Sequence, residues 1–75
     1  MPHFHFDIVE DGGTLPDDEG IDLSSAEAAR LEAARAAAEI MRERAWRQAI
    51  PADVSIVIRD DIGPISTVTV ALRLS

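Results

Sequence analysis

Cysteine is absent from this chain, which excludes disulfide staples and thiolate metal sites and gives no sign of an oxidising compartment. Lysine is absent too. The seven bases are all arginine and stand against fourteen acids, for a formal net charge of −7. That balance repels phosphate backbones and argues against nucleic-acid binding. With the abundance of alanine, the all-arginine usage reads as the codon bias of a GC-rich genome. Long apolar runs are also missing. No stretch approaches the ~20 apolar residues of a membrane-spanning helix. The opening MPHFHFDIVED holds neither a base nor an apolar run of signal-peptide length. The expectation is a cytoplasmic protein that engages neither nucleic acid nor membrane. At 75 residues it forms one domain, residues 1–75, that buries roughly 60% of its unfolded surface and so needs tight packing or a partner.

What is present is a long alanine-rich block, Ser24 to about Arg47, with no glycine or proline. Ser24 is the expected N-cap, with Glu27 three residues on completing a capping box worth ~1 kcal/mol. On a helical wheel Glu32, Arg35, Glu39, Arg42 and Glu43 share a narrow arc, while Leu31, Ala33, Ala34, Ala37, Ala38, Ile40 and Met41 fill the opposite one. Charge pairs at i,i+3 and i,i+4 stabilise by a few tenths of a kcal/mol each, so burial of the apolar arc decides the packing. Leu31, Ile40, Met41 and Trp46 are expected to carry it. The helix should end before Pro51.

Strands flank this block. Residues 3–9 alternate, with Phe4, Phe6 and Ile8 on one face and His3, His5, Asp7 and Val9 on the other. A glycine turn at 10–13 leads to a short strand at 14–16, and Pro16 keeps that strand short or at an edge. Residues 54–59 and 65–74 read as a second hairpin around the turn Asp60-Asp61-Ile62-Gly63-Pro64. The expected fold is α+β, a two-layer ββαββ arrangement with a four-stranded, mainly antiparallel sheet and one long helix on one face. Strand order stays open: the first hairpin joins the second through either of its strands.

The opening Met1-Pro2, the strand Phe4-x-Phe6, the turn Asp11-Gly12, the run Asp18-Glu19-Gly20-x-Asp22-Leu23, the helix start Ala28-Ala29-Arg30-x-Glu32-Ala33 and the hairpin Asp60-x-x-Gly63 with Ile65-x-Thr67-Val68-x-Val70 resemble a family of short bacterial proteins known as domain of unknown function 6894. The resemblance covers nearly the whole chain. It departs from the family's pattern at Asp7, where histidine is common, and at His5, where an aromatic is, so no first-strand histidine carries over as a shared functional group. The family implies no activity and no catalytic residue.

Three constellations remain. His3, His5 and Asp7 lie at i, i+2, i+4 of one strand, and three N/O ligands on one face suit Zn²⁺ or Ni²⁺; the plainer reading is an exposed polar face, and no metal or other cofactor is expected. Glu10-Asp11 and Asp17-Asp18-Glu19 cluster acids without the EF-hand spacing of a calcium loop and read as solvated turns. Ser24 and Ser25 have no neighbouring histidine and read as caps rather than nucleophiles. The chain is expected to be no enzyme but a protein–protein interaction or regulatory module acting as a homo-oligomer, with Trp46, Val57 and Thr69 as interface candidates. Trp46 reads either as a core-closing residue or as a partner anchor. Twenty-three helical residues span ~35 Å against a globule ~30 Å across, so an overhanging helix end is expected. An unknown protein partner is the alternative: strands followed by a helix of the E-A-x-x-E-A type also occur in HicB-like antitoxins, and the acidic surface of this chain would suit a basic toxin.

Overall fold

The computed structural model describes residues 1–10, 12–48 and 52–73. Strand β1 runs His3–Glu10, β2 Gly13–Leu15, β3 Ile21–Asp22, helix α1 Ala26–Trp46, β4 Ala52–Arg59 and β5 Pro64–Leu72. The fold is α+β, with one helix on an antiparallel sheet ordered β2-β1-β4-β5. The four expected strands are present, and the two-residue β3 adds a fifth, not expected from the sequence, by pairing with β1 (His3↔Asp22, Phe4↔Ile21). The hairpins join through β1 and β4, with Phe6 level with Ile58 and Ile8 with Ile56. β4 alternates without a break, burying Ala52, Val54, Ile56 and Ile58, and a strand of that kind belongs in the middle of a sheet. Leu74 of the expected last strand, like Ile50 and Pro51 after the helix, lies outside the described residues.

The helix begins one residue later than the capping-box spacing suggests. Ser25, in extended conformation, is the N-cap, and its Oγ accepts from the Ala28 amide at 3.1 Å. The physical reason is that the chain remains strand-like up to Leu23, whose amide donates to the Pro2 carbonyl at 3.0 Å, so the turn into α1 falls after Ser24. Glu27 then sits in the first turn, favourable to the helix dipole, and does not reach back as a box partner for Ser24. The helix closes at Arg47, and Gln48 follows with φ of +61°, a left-handed exit residue.

Alanine, not the large residues, meets the sheet. Ala29, Ala33, Ala37 and Met41 are buried at i+4 intervals, and their small side chains let α1 lie close against β4 and β5, which it contacts to a similar extent. The expectation for Leu31 and Trp46 fails: they are 54% and 86% exposed. An i+4 stripe drifts slowly round the helix, and at about 100° per residue Leu31 and Trp46 lie well off it. The core is completed by Phe4, Ala52, Val54, Ile56 and Ile58, with Phe6, Ile8, Leu23, Ile40, Val68, Val70 and Leu72 packed round it. The molecule is elongated, 41 × 21 × 18 Å. A 21-residue helix is about 31 Å long and the nine residues of β5 span about 30 Å, so the sheet accompanies the helix and its length alone creates no overhang.

Candidate functional site

The face of the sheet away from α1 carries His3, His5, Asp7 and Val9 from β1, Ser55, Val57 and Arg59 from β4, and Thr67, Thr69 and Ala71 from β5, as period-two alternation requires. Its polar part is organised by one residue of the β2–β3 connection, Asp17. The short strands β2 and β3 pair with the two ends of β1 and leave the amide of Phe6 between them. Asp17 Oδ2 accepts from that amide at 3.1 Å. Asp17 Oδ1 accepts from the amides of Glu19 at 3.2 Å and Gly20 at 3.0 Å, turning the loop. The Asp17 amide donates to Asp7 Oδ1 at 2.9 Å, and the Asp17 carbonyl accepts from His5 Nδ1 at 2.8 Å and Arg59 at 3.1 Å.

Arg59 completes the cluster. It grips Asp7 in two-pronged fashion, Nε to Oδ2 at 2.6 Å and Nη2 to Oδ1 at 3.1 Å, the geometry for which a guanidinium is suited. His3 donates from Nε2 to the Glu19 carbonyl at 2.8 Å and from Nδ1 to Asp22 at 2.6 Å. Both ring nitrogens face acceptors, which favours the imidazolium. The His3 and His5 rings meet edge to face, with centroids 5.1 Å apart. Gly20 is required here. Its φ is +68°, and a Cβ would stand 2.5 Å from the Phe4 carbonyl oxygen and 2.6 Å from His3 Nε2. The sequence run Asp18-Glu19-Gly20-x-Asp22-Leu23 thus has a physical content: a close-approach glycine, a histidine partner, and a leucine that anchors the turn into the helix.

The charges respond accordingly. The hydrogen bond to Asp22, with help from the Glu19 carbonyl, raises the His3 pKa above 6.5. Asp22 is lowered in return. The Arg59 guanidinium holds Asp7 below the ordinary carboxylate value, against the effect of burial. For Asp17, burial is the largest influence and opposes ionisation, but the amides of Gly20, Phe6 and Glu19 together outweigh it and the pKa is lowered.

The expected grouping of His3, His5 and Asp7 on one face is present, yet each is engaged by a partner within the chain. Among the described residues no group of three or more histidine or acidic side chains is arranged to hold a metal ion. Two residues organise the cluster: Asp17, expected from the sequence to be part of a solvated acidic turn, instead accepts from three backbone amides, and Arg59 was singled out by no sequence motif. Arg59 lies 52 residues from Asp7, and their meeting depends on β1 pairing with β4. The signal for Asp17 was available: an Asp three residues before a Gly in a turn is an Asx-turn pattern. The interface candidates fall on separate surfaces. Val57 and Thr69 lie on the open sheet face, where Thr69 shares a 2.8 Å hydroxyl contact with Ser55. Trp46 stands at the end of α1 in the other layer.

The structure is thus that of a small α+β domain, one helix on an antiparallel sheet, whose acid-rich connection is pinned to its first strand. The chain belongs to the family described as Domain of unknown function (DUF6894), whose profile matches residues 3–71. Comparison with curated proteins and with solved structures finds no match to either. No helix is long and apolar enough to cross a membrane among the described residues.

Proposed function

We propose that this chain is a non-enzymatic protein–protein interaction or regulatory module that acts as a homo-oligomer in the cytoplasm of a bacterium. The observation that carries the reading is the one-sided sheet: α1 covers one face, while the other presents Val9, Val57, Thr67, Thr69 and Ala71. The charges bordering that apolar strip are already neutralised within the chain, Asp7 by Arg59 and Asp53 by Arg73 at 2.7 Å. Charged residues are depleted from the centres of protein interfaces, and here they stand at the border of the strip, each with a partner in the chain. Light scattering on untagged protein from micromolar to millimolar concentration tests it. A mass above that of the monomer, rising with concentration, is expected; a monomer throughout overturns the reading.

The antitoxin-like alternative has less support. It needs acids free to meet a basic partner. Of the seven acids before Ser24, Asp7 and Glu10 pair with Arg59 and Arg44, Asp22 with His3, and Asp17 with backbone amides. Co-purification of a small basic protein encoded next to this one would favour it.

A further inference from the structure

The two edges of the sheet are finished differently. The outer edge of β1 is closed by β2, by β3 and by the Asp17 carboxylate on the Phe6 amide. The outer edge of β5 has no strand beside it among the described residues. Nor does it carry the devices that keep an edge from pairing: between Ile65 and Leu72 the sequence ISTVTVAL has no charge and no proline, and the one irregularity of the β4–β5 ladder is at Ile58/Arg59, near its end. A long, neutral, regular edge is a template for another strand.

We infer that β5 is the interface of a homodimer, two copies pairing antiparallel about Val68 so that the sheets become continuous; this rests on the self-association proposed above. Three observations select a second copy as the occupant. The first is charge. Seven of the fourteen acids lie in residues 1–24 with no base, and that segment forms the opposite edge. Pairing through β5 places the two acidic edges at the far ends of the joint sheet, whereas any pairing through β1 would bring like charges together.

The second is spacing. Strands lie about 4.8 Å apart, and α1 packs equally on β4 and β5, so it sits about half a strand spacing inside the edge. Joining two β5 edges then sets the helices about 10 Å apart, within the ordinary range for packed helices. The third is the side chains on that flank. Arg30 donates to Ser66 Oγ at 3.4 Å, which places its side of α1 above the start of β5. Ala34 and Ala38, one and two turns further along, share that flank. Ala34 lies about 6 Å beyond Arg30 along the helix, and Val68 about 6.6 Å beyond Ser66 along the strand. The two-fold axis through Val68 therefore brings Ala34 against its own copy, where small side chains permit close approach.

The test uses the face away from the helix, where substitution spares the core. Pairing about Val68 sets Thr67 opposite Thr69 of the second copy. Thr67→Lys with Thr69→Lys, and separately both to Glu, are made in the full chain and followed by sedimentation and by thermal melting. Each double variant is expected to weaken self-association more than ~tenfold while still melting cooperatively, and mixing the two is expected to restore dimers. Lysine and glutamate variants that dimerise as the wild type does overturn the β5 interface while leaving self-association standing. Variants that are monomeric and remain so on mixing overturn the antiparallel pairing. A monomeric wild type overturns both readings. Amide exchange on the wild type is independent of any substitution: the outward-facing amides of β5 are expected to gain protection as concentration rises, and fast exchange at a concentration where dimers prevail removes the proposal.

Discussion

One side of this sheet is closed, with β2 and β3 laid along β1, while on the other side β5 has no strand beside it among the described residues. β1 is eight residues long and β5 nine, both antiparallel neighbours of β4, yet one ends in a polar lock and the other in an open ladder. The difference teaches where a small domain places its sequence-specific information. The lock around β1 is built from specific contacts: the close approach at Gly20, the Asp17 carboxylate on backbone amides, and the Asp7–Arg59 pair. The bare edge uses alternating valine, threonine and alanine, which specify a strand and little else. The first edge defines the fold; the second is left available.

Four perturbations break or sharpen this contrast. The largest is Gly20→Ala. It forces a residue with a side chain into φ of +68° and a Cβ to within 2.5 Å of the Phe4 carbonyl oxygen. A loss of roughly 2–4 kcal/mol is expected from strain and clash, seen as a fall in Tm of more than about 10 °C. A fall of under 2 °C would show that the loop does not hold the edge.

Asp17→Ala comes next. It strips acceptors from three backbone amides and should cost about 1–3 kcal/mol by urea unfolding, with faster exchange of the Phe6 amide. The same edge is acid-sensitive. Asp7 and Asp17 have lowered values in the folded protein, so their contribution is complete above the ordinary value of 3.8 and is lost as pH falls beneath it. The wild type should lose stability in that acid range, and Asp17→Ala should lose less of it.

Ser25→Ala should cost about 1 kcal/mol, the usual value of an N-cap, while Ser24→Ala should change chemical-denaturation midpoints little. Equal effects of the two would remove the assignment of Ser25 as the cap. Smallest is the alkaline arm. His3 has a raised value, so its contribution is complete below pH 6.5 and fades as pH rises through the folded value. A shallow decline in Tm as pH rises beyond 6.5 should be present in the wild type and absent in His3→Gln.

The sequence was most legible where a pattern is local. The alternation of Phe4, Phe6 and Ile8 against His3, His5 and Asp7 gave the correct faces of β1, and the glycine- and proline-free alanine block gave the helix. It was least legible where two good local signals compete. Ser24 has the better capping spacing, but the chain's extended pairing through Leu23 shifts the cap to Ser25. The helical wheel offers a wide apolar arc, and which part of it turns inward depends on the sheet beneath. The alanine stripe wins because only small side chains allow the close approach, and Leu31 and Trp46 are left outside. The metal-like spacing of His3, His5 and Asp7 could not be read correctly without Asp17 and Arg59, whose positions depend on which strands become neighbours.

Composition and periodicity alone determined an acidic, cysteine-free α+β domain with one long helix and two hairpins, because those properties follow from the period of the apolar residues and the turn chemistry between them. The tertiary structure alone decided that β4 lies between β1 and β5, that Asp7 meets Arg59, and that β1 is sealed while β5 has no strand beside it among the described residues. Strand order is a contest among non-local pairings of similar local quality, and it is settled by which arrangement buries Val54, Ile56 and Ile58 beneath the alanines of the helix.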